Sequence, residues 1–517
     1  MKNVKFSIYA GGVVASTLAF GAAPALAEKV LNVSYSQDIR STQPGVDRDG
    51  PTDAVLMHVV EGLMGYAEDF SVRPVLAESV ETSEDGLTYT FKLRKGVKFH
   101  NGEEMTAADV KWSWDRYMDP ATGWRCRTAF NGEDGVAVTA LDIVDDYTVR
   151  YTLAGPSATF LGNLARFDCG SAAVLHSESV DADGDWVKPV STGPFTYGDI
   201  RSGQYIELIK FPDYVASEGE PSGYTGAKVA LVDKVRYNIL TEAAVKKTAF
   251  MAGDLDVAMI EAGDVEEIEG MDGASILTVP TAIWDSFLIN VRDPLLSNPA
   301  LRAAIVHALD RDMIVEVTTE GRGESNPSVV PPMSAFHSDA VNSGPDYDPA
   351  RSAELLKEAG YNGETIKIIT NRRTGGHYDR ALIGQSMLAA AGIKAELETI
   401  EWGTQIDIYN SGDYQMMAFS YSARLDPALS FEMISGPQDR KVLRTDEAQR
   451  MVEEALIVAE KDQRQALIDG LQAEFNAENA AYSIGHRPYF YAVRDEVTGF
   501  TGSGTGNEIY WGVDVNR

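Results

Sequence analysis

The segment at residues 419–431 reads FSYSARLDPALSF and places two opposite charges, Arg424 and Asp426, between apolar flanks. Arginine stays protonated, and its planar fork suits a carboxylate, a phosphate or a pair of sugar hydroxyls. Asp426 has two alternative roles: it holds that fork in place, or it caps a turn, because Asp-Pro commonly starts turns. The segment therefore favours binding of an anionic or hydroxyl-rich compound.

Residues that could carry catalysis are poorly placed. The seven histidines are scattered, and none is paired at metal-ligand spacing. The sequence has no G-x-S-x-G elbow and no G-x-x-x-x-G-K-[ST] loop, and GSGTG at 502–506 lacks the strand and helix of a phosphate site. A chain with 77 acidic residues also offers carboxylate pairs by chance. We therefore expect a protein that is not an enzyme and that holds no metal and no cofactor.

Composition sets the scale of the molecule. The chain has 517 residues, of which 44% are apolar and 24% charged. At about 150 residues per domain, this length predicts two to four lobes. The net charge of −32 predicts a surface that repels nucleic acid and anionic membranes, although a pocket can differ in sign from the rest of the surface.

The first 27 residues differ from the rest of the chain. Lys2 and Lys5 precede an uncharged run that ends in Ala25-Leu26-Ala27, the small-x-small pattern that a signal peptidase needs. We interpret residues 1–27 as a cleaved signal peptide; a retained membrane anchor is the alternative. Disulfides persist in exported proteins, so we expect a bridge between the two cysteines of the chain, with two buried thiols as the alternative. These cysteines are Cys126 and Cys169.

Strands and helices alternate along the chain. KVLNVSYS predicts a first strand, and GLTYTFKLRKGVKFHNG predicts two strands around a Lys-Gly turn. Helices are predicted to begin after the capping residues Thr106, Asn298 and Asp348, and to end near Gly253 and Gly392. The recurring order of helix and strand predicts α/β lobes.

Several long segments carry a specific resemblance. They include PVLAESVETSEDGLTYTFKLRKGVKFHNGEEMTAADVKWSWDR, STGPF at 191–195, FLINVRDPLLSNPALRAAIVHALDRDMI, YDPARSAELLKEAGY and EWGTQIDIYNSGDYQMMAFSYSARLDP. In this order they resemble extracytoplasmic solute-binding protein family 5, which serves dipeptide, oligopeptide, nickel and opine ABC importers. The resemblance covers nearly all of the chain after residue 27.

The resemblance implies an α/β, two-lobe periplasmic-binding-protein clamp with an extra subdomain in the first lobe. Lobe I would comprise residues 28–60, 185–278 and 485–517, and the extra subdomain residues 61–184. Lobe II would comprise residues 279–484. Both cysteines would then lie in the extra subdomain, away from the cleft between the lobes, where a bridge would be structural.

The same resemblance implies ligand contacts. In relatives that bind dipeptides, a tryptophan closes the side-chain pocket, and Trp402 in ETIEWG matches it; core packing is the alternative. Those relatives hold the ligand carboxylate with an arginine before a helix of lobe II, where TNRRTGGHYD offers Arg372 and Arg373, with Asn371 at the ungapped match. A solvated loop is the alternative for this pair. In the loop DIRSTQPGVDRDG of lobe I, Arg48 is the expected ligand contact. Tyr421, Arg424 and Asp426 are expected ligand contacts in the segment at 419–431.

The relatives that bind peptides accept the ligand's α-ammonium with an aspartate shortly before the Asp-Pro pair. Here that position is occupied by Arg424 or by Ala423, depending on the direction of counting. An arginine repels an ammonium group, so we expect an anionic or masked-amine ligand such as a γ-linked peptide, an opine or an acidic saccharide conjugate. An ordinary di- or oligopeptide is the alternative.

The resemblance also implies partners and location. We expect a monomeric receptor in the periplasm of a Gram-negative bacterium, which delivers a small or peptide-like solute to an ABC permease in the inner membrane and binds no nucleic acid. A secreted hydrolase or a chaperone built on the same clamp is the alternative from a different class.

Overall fold

The computed structural model describes Met1, Ser7 and residues 28–133, 135–372 and 376–517. The predicted signal peptide therefore lies outside the described residues, apart from Met1 and Ser7. The strands, in chain order, are β1 (Val30–Tyr35), β2 (Met64–Tyr66), β3 (Val72–Pro74), β4 (Ala77–Thr82), β5 (Thr88–Leu93), β6 (Val138–Asp145), β7 (Thr148–Leu153), β8 (Phe195–Arg201), β9 (Tyr205–Lys210), β10 (Lys234–Ile239), β11 (Val257–Ile260), β12 (Ala274–Val279), β13 (Trp284–Ile289), β14 (Ile366–Thr370), β15 (Ala395–Thr399), β16 (Met416–Tyr421), β17 (Ala481–His486), β18 (Tyr489–Arg494), β19 (Val497–Thr498) and β20 (Asp514–Val515).

Helices are interspersed among these strands, so the predicted α/β class is confirmed. No helix in the described part of the chain combines the length and the apolar character needed to cross a membrane. The helices are α1 (Gly50–Leu56), α2 (Ala107–Met118), α3 (Phe160–Ala165), α4 (Ala243–Ala252), α5 (Val265–Glu269), α6 (Pro299–His307), α7 (Arg311–Thr318), α8 (Pro349–Ala359), α9 (His377–Ala390), α10 (Trp402–Ser411), α11 (Pro427–Ile434), α12 (Asp446–Ala455) and α13 (Lys461–Glu478).

Local capping chemistry sets several helix ends as predicted. The Thr106 backbone N–H and hydroxyl both donate to the carboxylate of Asp109 at the start of α2. Asn298 and Asp348 cap α6 and α8, each before a proline in the first turn. Gly253, with φ of 88°, ends α4 in the left-handed conformation that glycine adopts without strain.

One predicted strand is absent. After β5, residues 94–98 form no strand; Lys98 makes only an isolated bridge with Glu104. The partners of β5 are β4 and β7, in a four-stranded antiparallel sheet of order β4-β5-β7-β6. The alternation of apolar and polar residues in GLTYTFKLRKGVKFHNG therefore reflects one strand, β5, with one buried face, followed by a turn and not by a second strand.

Two larger sheets form the main body of the molecule. One has seven strands in the order β12-β18-β11-β1-β10-β9-β8, and the other has five in the order β15-β14-β16-β13-β17. Both faces of the five-stranded sheet are covered, because alternate residues of β13 and β16 belong to two separate apolar clusters. Every residue of β13 is therefore buried.

The chain passes between these two sheets at residues 280–283, after β12, and at residues 487–488, after β17. We call these the crossing segments. They lie side by side: the Arg487 N–H donates to the Ile283 carbonyl oxygen at 2.9 Å, and the Thr281 hydroxyl donates to the Arg487 carbonyl oxygen at 2.6 Å. A pair of adjacent connections of this kind can bend together as one hinge.

Candidate functional site

A cavity of about 1050 Å³ lies beside the crossing segments and is lined by both large sheets. Ligand clefts in proteins usually hold about 300–1,000 Å³. The seven-stranded sheet contributes the end of β11 and the residues after it, and the five-stranded sheet contributes the end of β16. The cavity is thus large enough for a compound the size of a short peptide.

Aromatic rings form one wall. Phe419 and Tyr421 project to the same face of β16, because they are two residues apart on a strand. The Phe419 ring stacks on Tyr409 at 4.6 Å and on Trp402 at 5.8 Å between centroids, and Tyr421 stacks on the buried Trp284 at 5.3 Å. Trp402 is half-buried and lines the cavity.

The opposite face of β16 carries charge. Ser420 lies directly across from Asp285 of β13 and donates its hydroxyl hydrogen to that carboxylate. Arg487 holds Asp285 through Nη2 at 2.6 Å and Nε at 3.2 Å, and Arg380 of α9 reaches it through Nη1 at 3.1 Å. Both guanidinium groups also donate to the Ser420 hydroxyl oxygen. The buried Arg380 and the half-buried Arg487 therefore share one buried anion in the cavity wall.

The pKa values in this cluster reflect that imbalance. Burial disfavours the charged form of Asp285, but Arg380 and Arg487 outweigh it and hold its pKa well below the usual range. Burial lowers the pKa of Arg380 to about 10, and the nearby charge of Arg487 acts in the same direction. Burial also lowers the pKa of the neighbouring His486 to about 4, so this imidazole is neutral at pH 7. Asp285 thus balances one of the two arginine charges by direct contact, while the exposed Asp379 and Glu261 act on Arg380 and Arg487 from a greater distance.

Arg424 adds a further cation to the cavity wall. Its Nη1 donates to the Ser422 hydroxyl at 3.1 Å and to the carbonyl oxygens of Ser422 and Ala423 at 3.3 and 3.2 Å. Burial lowers the pKa of Arg424, while Asp168 opposes that effect. Among the described residues, no carboxylate lies within ion-pair distance of Arg424; Asp168 acts on it from farther away.

Asp426 is placed differently. It accepts a hydrogen bond from the Ala428 N–H at 2.9 Å as the cap of α11, and it binds Arg464 of α13. It does not line the cavity, whereas Trp402, Tyr421 and Arg424 do.

The remaining predicted contacts lie outside the described cavity lining. The Asn371 amide donates to Gln405 at 2.8 Å, and the Arg372 guanidinium carbon lies 3.6 Å from the ring centroid of Tyr378. Arg48 is paired with the buried Asp53. Arg373 lies outside the described residues.

Sequence reasoning missed Asp285, Arg380, Arg487 and His486. Their only local signal is a charged residue within or beside an apolar run: IWDSFLIN around Asp285, and YSIGHRPYF around His486 and Arg487. A buried charge requires a partner, so such positions mark candidate sites even where the partner is distant in sequence.

Cys126 and Cys169 are bonded to each other, with their Cα atoms 5.6 Å apart. Together with Asp168 they form the one compact group of possible metal-ligating residues in the described part of the chain. A cysteine binds a metal ion as its thiolate. Because both sulfur atoms are bonded to each other in the disulfide, this group does not suit a metal ion.

Two mixed sheets joined by adjacent crossing segments, with a ligand-sized cavity beside them, define a two-lobe solute-binding protein. The profile of the bacterial extracellular solute-binding proteins, family 5 (middle), matches residues 71–441. The chain therefore belongs to this family, and the expected class, a periplasmic solute-binding receptor of an ABC importer, is confirmed.

Individual relatives agree with this assignment. The glutathione-binding protein GsiB of Pectobacterium atrosepticum is 28% identical over 401 residues, which cover 77% of this chain and 73% of that protein. The structure of the periplasmic binding protein DppA from Helicobacter pylori with the peptide STSA matches at 25% identity and a TM-score of 0.75, over 95% of this chain and 99% of that one. NikA from Brucella suis with Fe(III)-EDTA has the same fold, with 21% identity and a TM-score of 0.81 over 94% and 99%. The expected two-lobe clamp is confirmed.

Proposed function

We propose that this receptor captures anionic, carboxylate-bearing solutes, with γ-linked peptides such as glutathione as the leading class. One observation carries the proposal: Arg380 and Arg487 share the single carboxylate of Asp285 in the cavity wall. A buried uncompensated cation is costly, and a ligand carboxylate removes that cost. Opines and acidic saccharide conjugates present the same group.

Two further features support this ligand class. Arg424 or Ala423 stands where peptide-binding relatives are expected to have an aspartate, and Arg424 lines the same cavity. The relative from Pectobacterium atrosepticum is named a glutathione-binding protein, and glutathione is a γ-linked tripeptide with two carboxylates. The other acidic lining residues are exposed, so water screens their charge; they are Glu261, Glu320, Glu324 and Asp379.

Ordinary peptides remain the second candidate, because DppA of Helicobacter pylori was solved with the peptide STSA. An α-peptide and glutathione both carry an ammonium group that needs an anionic partner, but glutathione brings a second carboxylate that an α-dipeptide lacks. The exposed acids at the cavity wall are the available partners, whereas the buried Asp285 is already occupied by two arginines. The charge distribution therefore favours the anionic class.

We further propose a two-lobe division at the crossing segments, with the boundaries expected from the sequence: 28–60, 185–278 and 485–517 for lobe I, 61–184 for the extra subdomain and 279–484 for lobe II. Closure of the lobes would bury the ligand against Trp402, Tyr421 and Arg424. A monomer would then present the closed form to the permease, and no chemical step is proposed. The other expected contacts would stabilise the structure around the cavity and not touch the ligand; they are Asp426, Asn371, Arg372 and Arg48.

Calorimetry on ligand-stripped protein tests the ligand class. We expect glutathione to bind, and we expect Arg380→Met to weaken it at least about ten-fold, because this variant removes the uncompensated charge and leaves the Asp285–Arg487 pair intact. Arg424→Ala should also weaken it. Arg351→Met, which changes an exposed arginine on α8, is the matched control.

A different result would reject the proposal. Tight binding of simple α-dipeptides that N-acetylation abolishes, and that Arg424→Ala and Arg380→Met leave unchanged, would assign the receptor to ordinary peptides. Product formation with turnover would instead favour the hydrolase alternative.

A further inference from the structure

Arg487 is part of both the second crossing segment and the cavity wall. Its backbone lies in the second crossing segment and is hydrogen-bonded on both sides to the first, through Ile283 and Thr281. Its guanidinium lines the cavity and holds Asp285, the second residue of β13 after the first crossing segment. Any rotation about the crossing segments therefore moves this side chain relative to the cavity wall.

The neighbours of Arg487 make that movement sensitive to charge. Arg380, on α9, approaches the same carboxylate from the other side, and both arginines donate to Ser420. Like charges that share one partner repel each other, and burial strengthens the repulsion because little water screens it. The arrangement seen here therefore carries an electrostatic cost as long as no second anion contacts the two guanidinium groups directly; the acidic residues Asp379 and Glu261 of the cavity lining are exposed, and water screens their charge.

This structure also joins the two halves of the molecule directly. Arg322, after α7, binds Glu269 of α5 through two hydrogen bonds of 3.0 and 2.9 Å. The Ala158 N–H donates to the Leu456 carbonyl oxygen at 3.1 Å. Arg380 and Arg487 thus meet on Asp285 in a conformation in which the halves are in contact.

We propose that Arg487 is the positioning residue that couples ligand binding to lobe closure. Without a ligand, repulsion between Arg487 and Arg380 disfavours the closed arrangement of the crossing segments. A ligand carboxylate placed against Arg380 compensates this charge, and the closed arrangement becomes favourable. The inference rests on the proposed anionic ligand for its trigger, but its effect on the ligand-free protein can be measured independently.

The experiment measures the distance between the two halves by double electron–electron resonance. Spin labels are attached at Thr248→Cys on α4 and Glu358→Cys on α8, both exposed, in a chain whose own two cysteines are bonded to each other. Distance distributions are recorded without ligand and with glutathione, for the wild type, Arg487→Gln, Arg487→Lys and Arg380→Met.

We expect Arg487→Gln to shift the ligand-free protein towards the closed distance, with the closed population rising at least about five-fold, the low end of ordinary coupling between sites. Arg487→Lys keeps the charge and should retain the open distribution of the wild type. Arg380→Met removes the same repulsion from the other side and must also shift the ligand-free protein towards closure. Arg450→Gln, which changes an exposed arginine on α12 outside the cavity lining, should not shift it.

Unchanged ligand-free distributions in both Arg487→Gln and Arg380→Met would overturn the inference, and if Arg487→Gln fails to fold, the Arg380→Met result decides alone. Failure of glutathione to bind the wild type would count against the proposed ligand and not against this coupling, because the decisive comparison contains no ligand.

Discussion

Asp426 gives both carboxylate oxygens to Arg464, 2.6 and 2.8 Å from its Nη2 atom, and not to Arg424 two residues before it. The opposite charges of the segment at 419–431 are therefore not partners. Asp426 joins α11 to α13, while Arg424 lines the cavity. The helix-joining contact and the cavity-lining side chain of the segment thus belong to different residues.

Arg464→Met should destabilise the protein. Both partners of this ion pair are largely buried, and removal of one leaves an unpaired carboxylate at the start of α11, at a cost of about 3–5 kcal/mol. Urea unfolding measures the change. Arg450→Met, at an exposed ion pair on α12, is the control and should alter stability little. Equal midpoints for the two variants would contradict the structural role of this pair.

Trp402→Ala should weaken ligand binding by about 10- to 30-fold, because aromatic side chains at the centre of a binding site typically contribute about 2 kcal/mol. Intrinsic fluorescence of the wild type should also change on binding, since one part of the Trp402 ring faces the cavity. Trp112→Ala, on α2 and away from the cavity, should leave affinity unchanged. A folded Trp402→Ala protein with full affinity would place this ring in the core.

Removal of the disulfide should lower the free energy of unfolding by about 3–4 kcal/mol. Cys126 and Cys169 close a loop with a sequence separation of 43, and the cross-link restricts the unfolded chain over that length. The double variant Cys126→Ala/Cys169→Ala is compared with the wild type by denaturant unfolding. Reducing agent added to the wild type should produce the same loss; a reduced protein as stable as the oxidised one would disagree with this expectation.

Glu508 should make stability depend on pH. Burial raises the pKa of this carboxyl to about 7, and Lys246, whose ammonium donates to Ser36, only partly opposes the shift. Because the folded pKa exceeds the unfolded one, the favourable contribution of the protonated acid is complete below about pH 4.5 and is lost as pH rises through 7.

Glu508→Gln should therefore be more stable than the wild type at pH 8, by up to about 3 kcal/mol, and nearly equal to it at pH 4.5. Thermal unfolding at several pH values gives the comparison. Glu218→Gln, at an exposed position, should follow the wild type throughout. A pH-independent difference between Glu508→Gln and the wild type would exclude titration of this group as the cause.

The local features of the chain were predictable because their causes are local. The capping box of Thr106 and Asp109, the caps Asn298 and Asp348, and the glycine stop at Gly253 each depend on side chains within a few residues of the helix end. The predicted strand after Lys95-Gly96 is wrong because a strand also needs a partner, and pairing is decided by distant segments. The order of motifs likewise fixed the family without any knowledge of distances.

Only the tertiary structure decided the electrostatics of the site. Asp285 lies 202 residues from Arg487 in the sequence, and Arg380 lies 40 residues from Ser420, yet all four meet within hydrogen-bonding distance. Whether a charge is compensated depends on which groups lie within a few ångströms and how much water surrounds them, and neither property is encoded in neighbouring residues. The sequence thus determined the class of protein and supplied Arg424 and Trp402 of the cavity lining, while folding brought together Arg380, Arg487 and Asp285 as a charged cluster in its wall.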